Sequence, residues 1–192
     1  MRGCWAALGL VAALVATLLA APAISPESSR SAAEKIERLG NLKAAPGSRV
    51  ILTQDEINSY LRYDFASEIP PGVTDPDIRL DADRVTGQAT VDFAEWQAAK
   101  GESPGLLMGL LLRGQRRIEV VCHYTSANGS GRVDIESVRI GNVTVSPAVV
   151  NFLMEEVVQP RYPAAVVGRP VPLDYNLRQV KIEPGRAVFM LR

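Results

Sequence analysis

Alternation with a period of two constrains this chain more than any other feature. Val85, Gly87, Ala89, Val91 and Phe93 alternate with Thr86, Gln88, Thr90 and Asp92. Successive strand side chains point to opposite faces, so this run predicts a strand with one dry face and one wet face. A second run, Ile118, Val120, Cys122 and Tyr124, repeats the pattern. Between it and residues 133–140 lie Ser126-Ala127-Asn128-Gly129-Ser130-Gly131, which tolerate positive φ and predict a hairpin. In the second arm the apolar set changes phase, from Val133 and Ile135 to Val138 and Ile140. A bulge near Glu136-Ser137 accounts for the shift. Val143 and Val145 extend the sheet, Val50-Ile51-Leu52 and the stretch with Ile78 and Leu80 read as short strands, and two more strands flank Pro184-Gly185.

Helical signals sit between these strands. Thr53 and Glu56 form a T-x-x-E capping box, and Ile57, Tyr60, Leu61 and Phe65 follow on one helical face. Ser146-Pro147 supplies an N-cap and first helical position for a second helix carrying Val149, Val150, Phe152, Leu153, Val157 and Val158 before Pro160. Mostly antiparallel strands with helices set between them predict an α+β domain, a sheet packed on one or two helices. That domain spans 48–192. Residues 24–47 read as a serine-rich tether, with a helix from Ala32 to Ala45 bearing Ile36, Leu39 and Leu42 and weakened by Gly40.

The amino terminus states where such a domain works. Met1-Arg2 is positively charged, residues 5–21 are uncharged and almost wholly apolar, and Ala21-Pro22-Ala23 matches a signal-peptidase site. Residues 1–23 therefore read as an export signal cleaved after Ala23, or as a retained anchor. The apolar run makes about 26 Å of helix against a hydrocarbon core of roughly 30 Å. Either reading places the domain outside the cytoplasm, periplasmic or secreted.

Composition and motifs exclude more than they name. The chain is formally neutral, with 21 basic and 21 acidic residues. Only Arg113, Arg116 and Arg117 group tightly, and they read as a solvated strand start, so nucleic acid is not expected as a partner. Cys4 lies in the export segment without a lipobox, which leaves Cys122 as the single cysteine of the domain and no internal disulfide. Cys122 reads as a small buried hydrophobe, and His123, adjacent on a strand, points to the other face. The carboxylates Asp75, Asp77, Asp81 and Asp83 lack the spacing of a calcium loop, because Pro76, Ile78 and Leu80 interrupt it. Glu155 and Glu156 point about 100° apart on a helix. The G-x-S-x-G, H-E-x-x-H, P-loop and dinucleotide-binding patterns are all absent. No catalytic residue, metal ligand or cofactor is expected, and an enzyme is not. The sequons at Asn128 and Asn142 are explained by a hairpin and a strand end.

One stretch stands apart. Residues 106–112 carry no polar side chain and follow the linker-like 100–105. They read either as buried core or as the wall of a cavity for an acyl chain, a role that leucine and methionine suit because they repack easily. In the second reading the lining residues are Leu106, Leu107, Met108, Leu110, Leu111 and Leu112, faced by Val149, Val150, Phe152 and Leu153 of the second helix.

Two passages carry a family resemblance. Ile51-Leu52-Thr53-Gln54-Asp55-Glu56-Ile57-Asn58-Ser59-Tyr60-Leu61 resembles the L-T-x-x-E-[IL]-N-x-[LY]-L opening of small exported bacterial proteins. Val138-Arg139-Ile140-Gly141-Asn142-Val143, continuing to Ser146-Pro147, resembles their strand–glycine–strand passage into an apolar helix. Those proteins are similar to tubular lipid-binding (TULIP-like) domains, in which a curved antiparallel sheet wraps a helix around a lipid-sized groove. The resemblance implies a non-enzymatic domain binding a lipid or other hydrophobic ligand. The alternative is an envelope-associated structural protein with a membrane-proximal protein partner and no small-molecule ligand.

Overall fold

The structure is a computed structural model that describes residues 24–41, 45–95, 114–155, 159 and 167–192, excluding the side chains of 152 and 153. Its class is α+β with mostly antiparallel sheets that do not close into a barrel. The chain opens with helix α1 (Pro26–Gly40), strand β1 (Arg49–Thr53) and helix α2 (Gln54–Tyr63). A turn of 3-10 helix (Ala66–Glu68) leads into β2 (Val73–Asp81), β3 (Arg84–Asp92), β4 (Gln115–Ala127), β5 (Ser130–Ile140) and β6 (Val143–Thr144). Helix α3 (Pro147–Leu153) and strands β7 (Val171–Pro172), β8 (Leu177–Glu183) and β9 (Arg186–Leu191) complete it.

The strands form two sheets. β1, β9 and β8 make a three-stranded sheet in that order. The larger sheet runs β2-β3-β4-β5-β6, with β7 paired to the far end of β5. The expected hairpin turns on Asn128-Gly129 alone, both at positive φ, the signature of the tight turn that suits twisted strands. The expected bulge is also present. Val121 faces Ser137 and Cys122 faces Ile135, so Glu136 is the extra residue. That insertion lets Ile135 and Val138, an odd number of positions apart, point to the same face.

The capped helix start follows the sequence signal. Thr53 Oγ1 accepts from the Glu56 N–H at 3.2 Å, and Glu56 Oε2 accepts from the Thr53 N–H at 2.9 Å. The remaining polar residues of this motif close an edge. Asn58 donates to the Ile78 carbonyl at 2.8 Å and accepts from the Ile78 N–H at 2.7 Å, in the manner of a neighbouring strand. One helical turn earlier, Gln54 accepts from the Leu80 N–H at 2.9 Å, and the Gly185 N–H donates to the Leu80 carbonyl at 2.9 Å. The free edge of β2 is thereby occupied by side chains of α2, which guards it against pairing with another chain.

Residues read as a tether belong to a docked helix instead. α1 begins at Pro26, six residues before Ala32, with Ser25 as its N-cap. Its serines face α2: the Ser25 N–H donates to Ser59 Oγ at 3.1 Å, Ser31 Oγ donates to Glu56 Oε1 at 2.6 Å, and Ser29 Oγ bonds Asp64. Ser29 and Ser59 are 1% and 0% exposed, so these hydroxyls are interior groups with partners, not solvated spacer. Two small side chains at the crossing also let the helix backbones approach closely.

Candidate functional site

The apolar face of the larger sheet is divided between two covers. At the end holding the β2–β3 and β4–β5 turns, Leu80 packs with Leu39 of α1, Val50 of β1, Val180 and Ile182 of β8, and Ala187 and Leu191 of β9. This first cluster is closed by a second sheet. Ser126 stitches the two together, donating to the Val180 carbonyl at 2.6 Å and accepting from the Val180 N–H at 2.8 Å. At the opposite end a second cluster joins Val91, Phe93, Val138, Ile140 and Val145, with half-buried Val73, Ile118, Val120, Ile135, Val149 and Val150 packed against it.

Strand register shows how the second cluster is built. Ile78, Gly87, Val120 and Val138 lie on one cross-strand row, and Ala89, Ile118 and Ile140 on the next. Gly87 and Ala89 are the low points of these rows. A Cβ at Gly87 would lie 3.5 Å from Ile78 Cδ1, in ordinary van der Waals contact. Towards the rim, Val91 pairs with the exposed Arg116. This face is therefore apolar and small-residued in the middle, part buried and part half-buried, with an arginine at its edge.

Connections differ between the two ends. Two residues suffice to join antiparallel neighbours, yet residues 93–114 intervene between β3 and β4. That connection is closed at its base by the Phe93 N–H donating to the Gly114 carbonyl at 3.2 Å. Phe93 itself is a buried member of the second cluster. Long connections in compact domains are uncommon and tend to carry function.

Of the residues expected from sequence to line a cavity, Val149 and Val150 pack against the second cluster. Phe152 lies on the backbone of α3, as does Leu153. Leu106, Leu107, Met108, Leu110, Leu111 and Leu112 lie outside the described residues, as do residues 1–23, 42–44, Glu156 and Val157–Val158. Sequence reading did not assign Val73, Ile118, Val120, Ile135 or Val138 to a site. The signal was present in the alternation and the bulge, but alternation identifies an inner face without saying what covers it. A shallow depression of about 600 Å³ lies elsewhere, at the closed end, lined by Gly40, Leu173, Asp174, Tyr175, Asn176 and Arg192.

Several titratable groups are engaged structurally. Cys122, half-buried, has its thiol pushed up by burial, which keeps it a protonated and weak nucleophile. His123 is exposed on the outer face, between Arg84 and Asp134 in register. Asp134 is held below the usual carboxylate range, chiefly by its hydrogen bonds from Arg132. Burial alone would raise the Glu56 carboxyl, but hydrogen bonds from Lys35, Ser31 and the Thr53 N–H outweigh it and hold the group low. Asp83 stands in the β2–β3 turn at positive φ, and Asp81 pairs with Arg79 at 3.2 Å. Among the described residues no three His, Cys, Asp or Glu side chains converge in a way that could hold a metal ion. No described helix is long and apolar enough to cross a membrane.

The chain matches no protein-family model, and no curated protein or solved structure is significantly similar to it.

Proposed function

We propose that this is a non-enzymatic, extracytoplasmic domain that binds a lipid or other hydrophobic ligand against the second cluster. One observation carries the reading: the larger sheet continues its apolar face beyond the part that the second sheet covers, and there Val120, Ile135, Ile118 and Val73 are only half-buried. Ligand sites are concave, mainly apolar and edged by a few polar groups. The floor at Gly87 and Ala89, the flanking valines and isoleucines, and Arg116 at the rim fit an acyl chain with an acidic head. The most apolar stretch of the domain sequence, residues 106–112, belongs to the connection that leaves and returns at this cluster. The amino-terminal signal or anchor supports a workplace where such ligands are abundant.

Titration with a fluorescent fatty acid, 12-(9-anthroyloxy)stearate, tests the proposal. Wild-type protein is expected to bind it saturably. Ala89→Phe fills the shallow middle of the face without removing apolar surface, and is expected to weaken binding at least tenfold while the domain still melts cooperatively. Saturable binding that survives Ala89→Phe at full affinity removes this face from the site. Absence of saturable binding in the wild type favours the alternative, an envelope-associated interaction protein.

A further inference from the structure

We infer that the end of the domain carrying the second cluster lies against a lipid bilayer, with anionic headgroups at its rim. The inference rests on the reading of the second cluster as a ligand face, and adds where that ligand is exchanged.

Three independent features converge on this end. The first is the course of the chain. α1 runs from its contacts with Ser59 and Asp64, in the second half of α2, to Leu39 in the closed first cluster. α2 in turn runs antiparallel to β2, since Gln54 meets Leu80 and Asn58 meets Ile78. Ile24, 41% exposed, therefore sits at the end of α1 remote from the first cluster. Apolar residues 5–21 precede it in sequence. Ala21 and Ile24 are three residues apart, at most about 11 Å of extended chain. A membrane holding the apolar run is consequently close to this end and away from the β2–β3 and β4–β5 turns.

The second feature is exposed apolar surface. Val143, in the short edge strand β6, is 50% exposed, and Tyr63 at the end of α2 is 47% exposed. Val143 pairs with Ile140, which lies on the same row as Ile118 and Ala89, so it borders the second cluster. The third is charge. Arg116 and Arg117 open β4 at this end, both exposed, and Arg62 is exposed in the last turn of α2. The Gly141 N–H donates to the Arg117 carbonyl at 2.7 Å, which places these arginines beside the turn that carries Val143. Among the described residues neither Arg116 nor Arg62 has an ion-pair partner, and Arg117 bonds only the neutral Gln88. Asp92 nearby directs its carboxylate to the N–H groups of Ala94 and Glu95, while the exposed carboxylates of Asp75 and Glu95 share this end with the arginines. Apolar tips flanked by arginines match the boundary between acyl chains and phosphate headgroups, where basic residues gain about 1 kcal/mol each near an anionic surface. The opposite end presents the polar turns at Asp83 and Asn128 together with one exposed ring, Tyr175, and its side chains near Leu173 and Arg192 form a depression rather than an arginine-flanked apolar rim.

The test uses the full chain in vesicles of brominated phosphatidylcholine and phosphatidylglycerol. A bimane label is placed at Val143→Cys or, at the closed end, at Tyr175→Cys, with Cys4 and Cys122 changed to serine. The label at 143 is expected to be quenched severalfold more than the label at 175, and Arg116→Glu with Arg117→Glu is expected to reduce that difference by half or more. Amide exchange of the unsubstituted chain, compared between these vesicles and detergent, needs no folding of variants. It should show protection at residues 115–117 and 141–144, and none at 82–83 and 174–176. Equal quenching at both labels, or protection confined to the closed end, overturns the inference. Fatty-acid binding is read without vesicles, so asymmetric quenching with no saturable binding defeats the ligand reading alone.

Discussion

The two ends of the larger sheet are built from the same alternating strands and are covered by different elements. At the first cluster, tight turns at Asp83 and Asn128-Gly129 bring the chain back at once, and a second sheet lands on the apolar face. At the second cluster the same strands are joined by the long connection 93–114, and the described cover is Val145 and the helix α3. Each end has a buried centre, Leu80 at 4% and Ile140 at 3% exposure, and a half-buried margin that includes Val85 at one and Val120 at the other. The lesson is that strand patterning prepares a face, and the connections decide which elements cover it.

The largest expected difference is in stability. Leu80→Ala removes a side chain from the closed cluster and should lower unfolding free energy by about 2–5 kcal/mol. Val120→Ala should cost less than half as much, because part of that side chain already meets solvent. Urea denaturation of both variants measures the contrast, and equal costs would abolish it.

Glu56 holds α1 onto the domain and so onto the closed end. Glu56→Gln weakens the Lys35 pair and should cost about 2 kcal/mol, since a hydrogen bond to a charged group exceeds a neutral one. The carboxyl is held below its ordinary value when folded. Its contribution is therefore complete above the ordinary glutamate range and lost as pH falls from there through the lower folded value. Wild type and Glu56→Gln should converge in stability on acidification, and a gap that widens would contradict the assignment.

Asn58→Ala leaves the Ile78 N–H and carbonyl without their partner and should cost about 1–3 kcal/mol. Gln54→Ala frees one N–H and should cost less. Greater self-association of Asn58→Ala, followed by light scattering, would show that this side chain guards the β2 edge. The smallest effects belong to the groups that a catalytic reading would favour. His123→Ala should change stability by less than about 0.5 kcal/mol, as is usual for exposed sites, and leave fatty-acid binding unchanged. The Cys122 thiol should react with iodoacetamide more slowly than a free cysteine at mildly alkaline pH, because burial keeps it protonated.

Much of the local structure was legible in the residues. The strand at Val85 to Phe93, the Asn128-Gly129 turn, the Thr53–Glu56 box and the bulge at Glu136 are short-range signals that lie where their chemistry predicts, but the wet face expected of that strand is not wet throughout, since Thr86 is buried. Ser25, Ser28 and Ser29 were not legible. A serine reads as solvated until a partner is known, and theirs include Ser59 and Asp64, more than thirty positions away. Gln54 and Asn58 likewise looked like ordinary polar positions of a capped helix. Their role as edge partners depends on β2 arriving alongside.

By itself the sequence determined the strands, their inner faces, the turns and the capped helix, because these follow from backbone sterics and from side-chain periods of two and 3.6 residues. Only the tertiary structure decided that the strands divide into two sheets, that α1 is docked through its hydroxyls, and that the two halves of a continuous apolar face are covered by different elements. Hydrophobic burial is non-directional: it requires that an apolar face be covered, and leaves the choice of cover to whichever elements the connections allow to reach it.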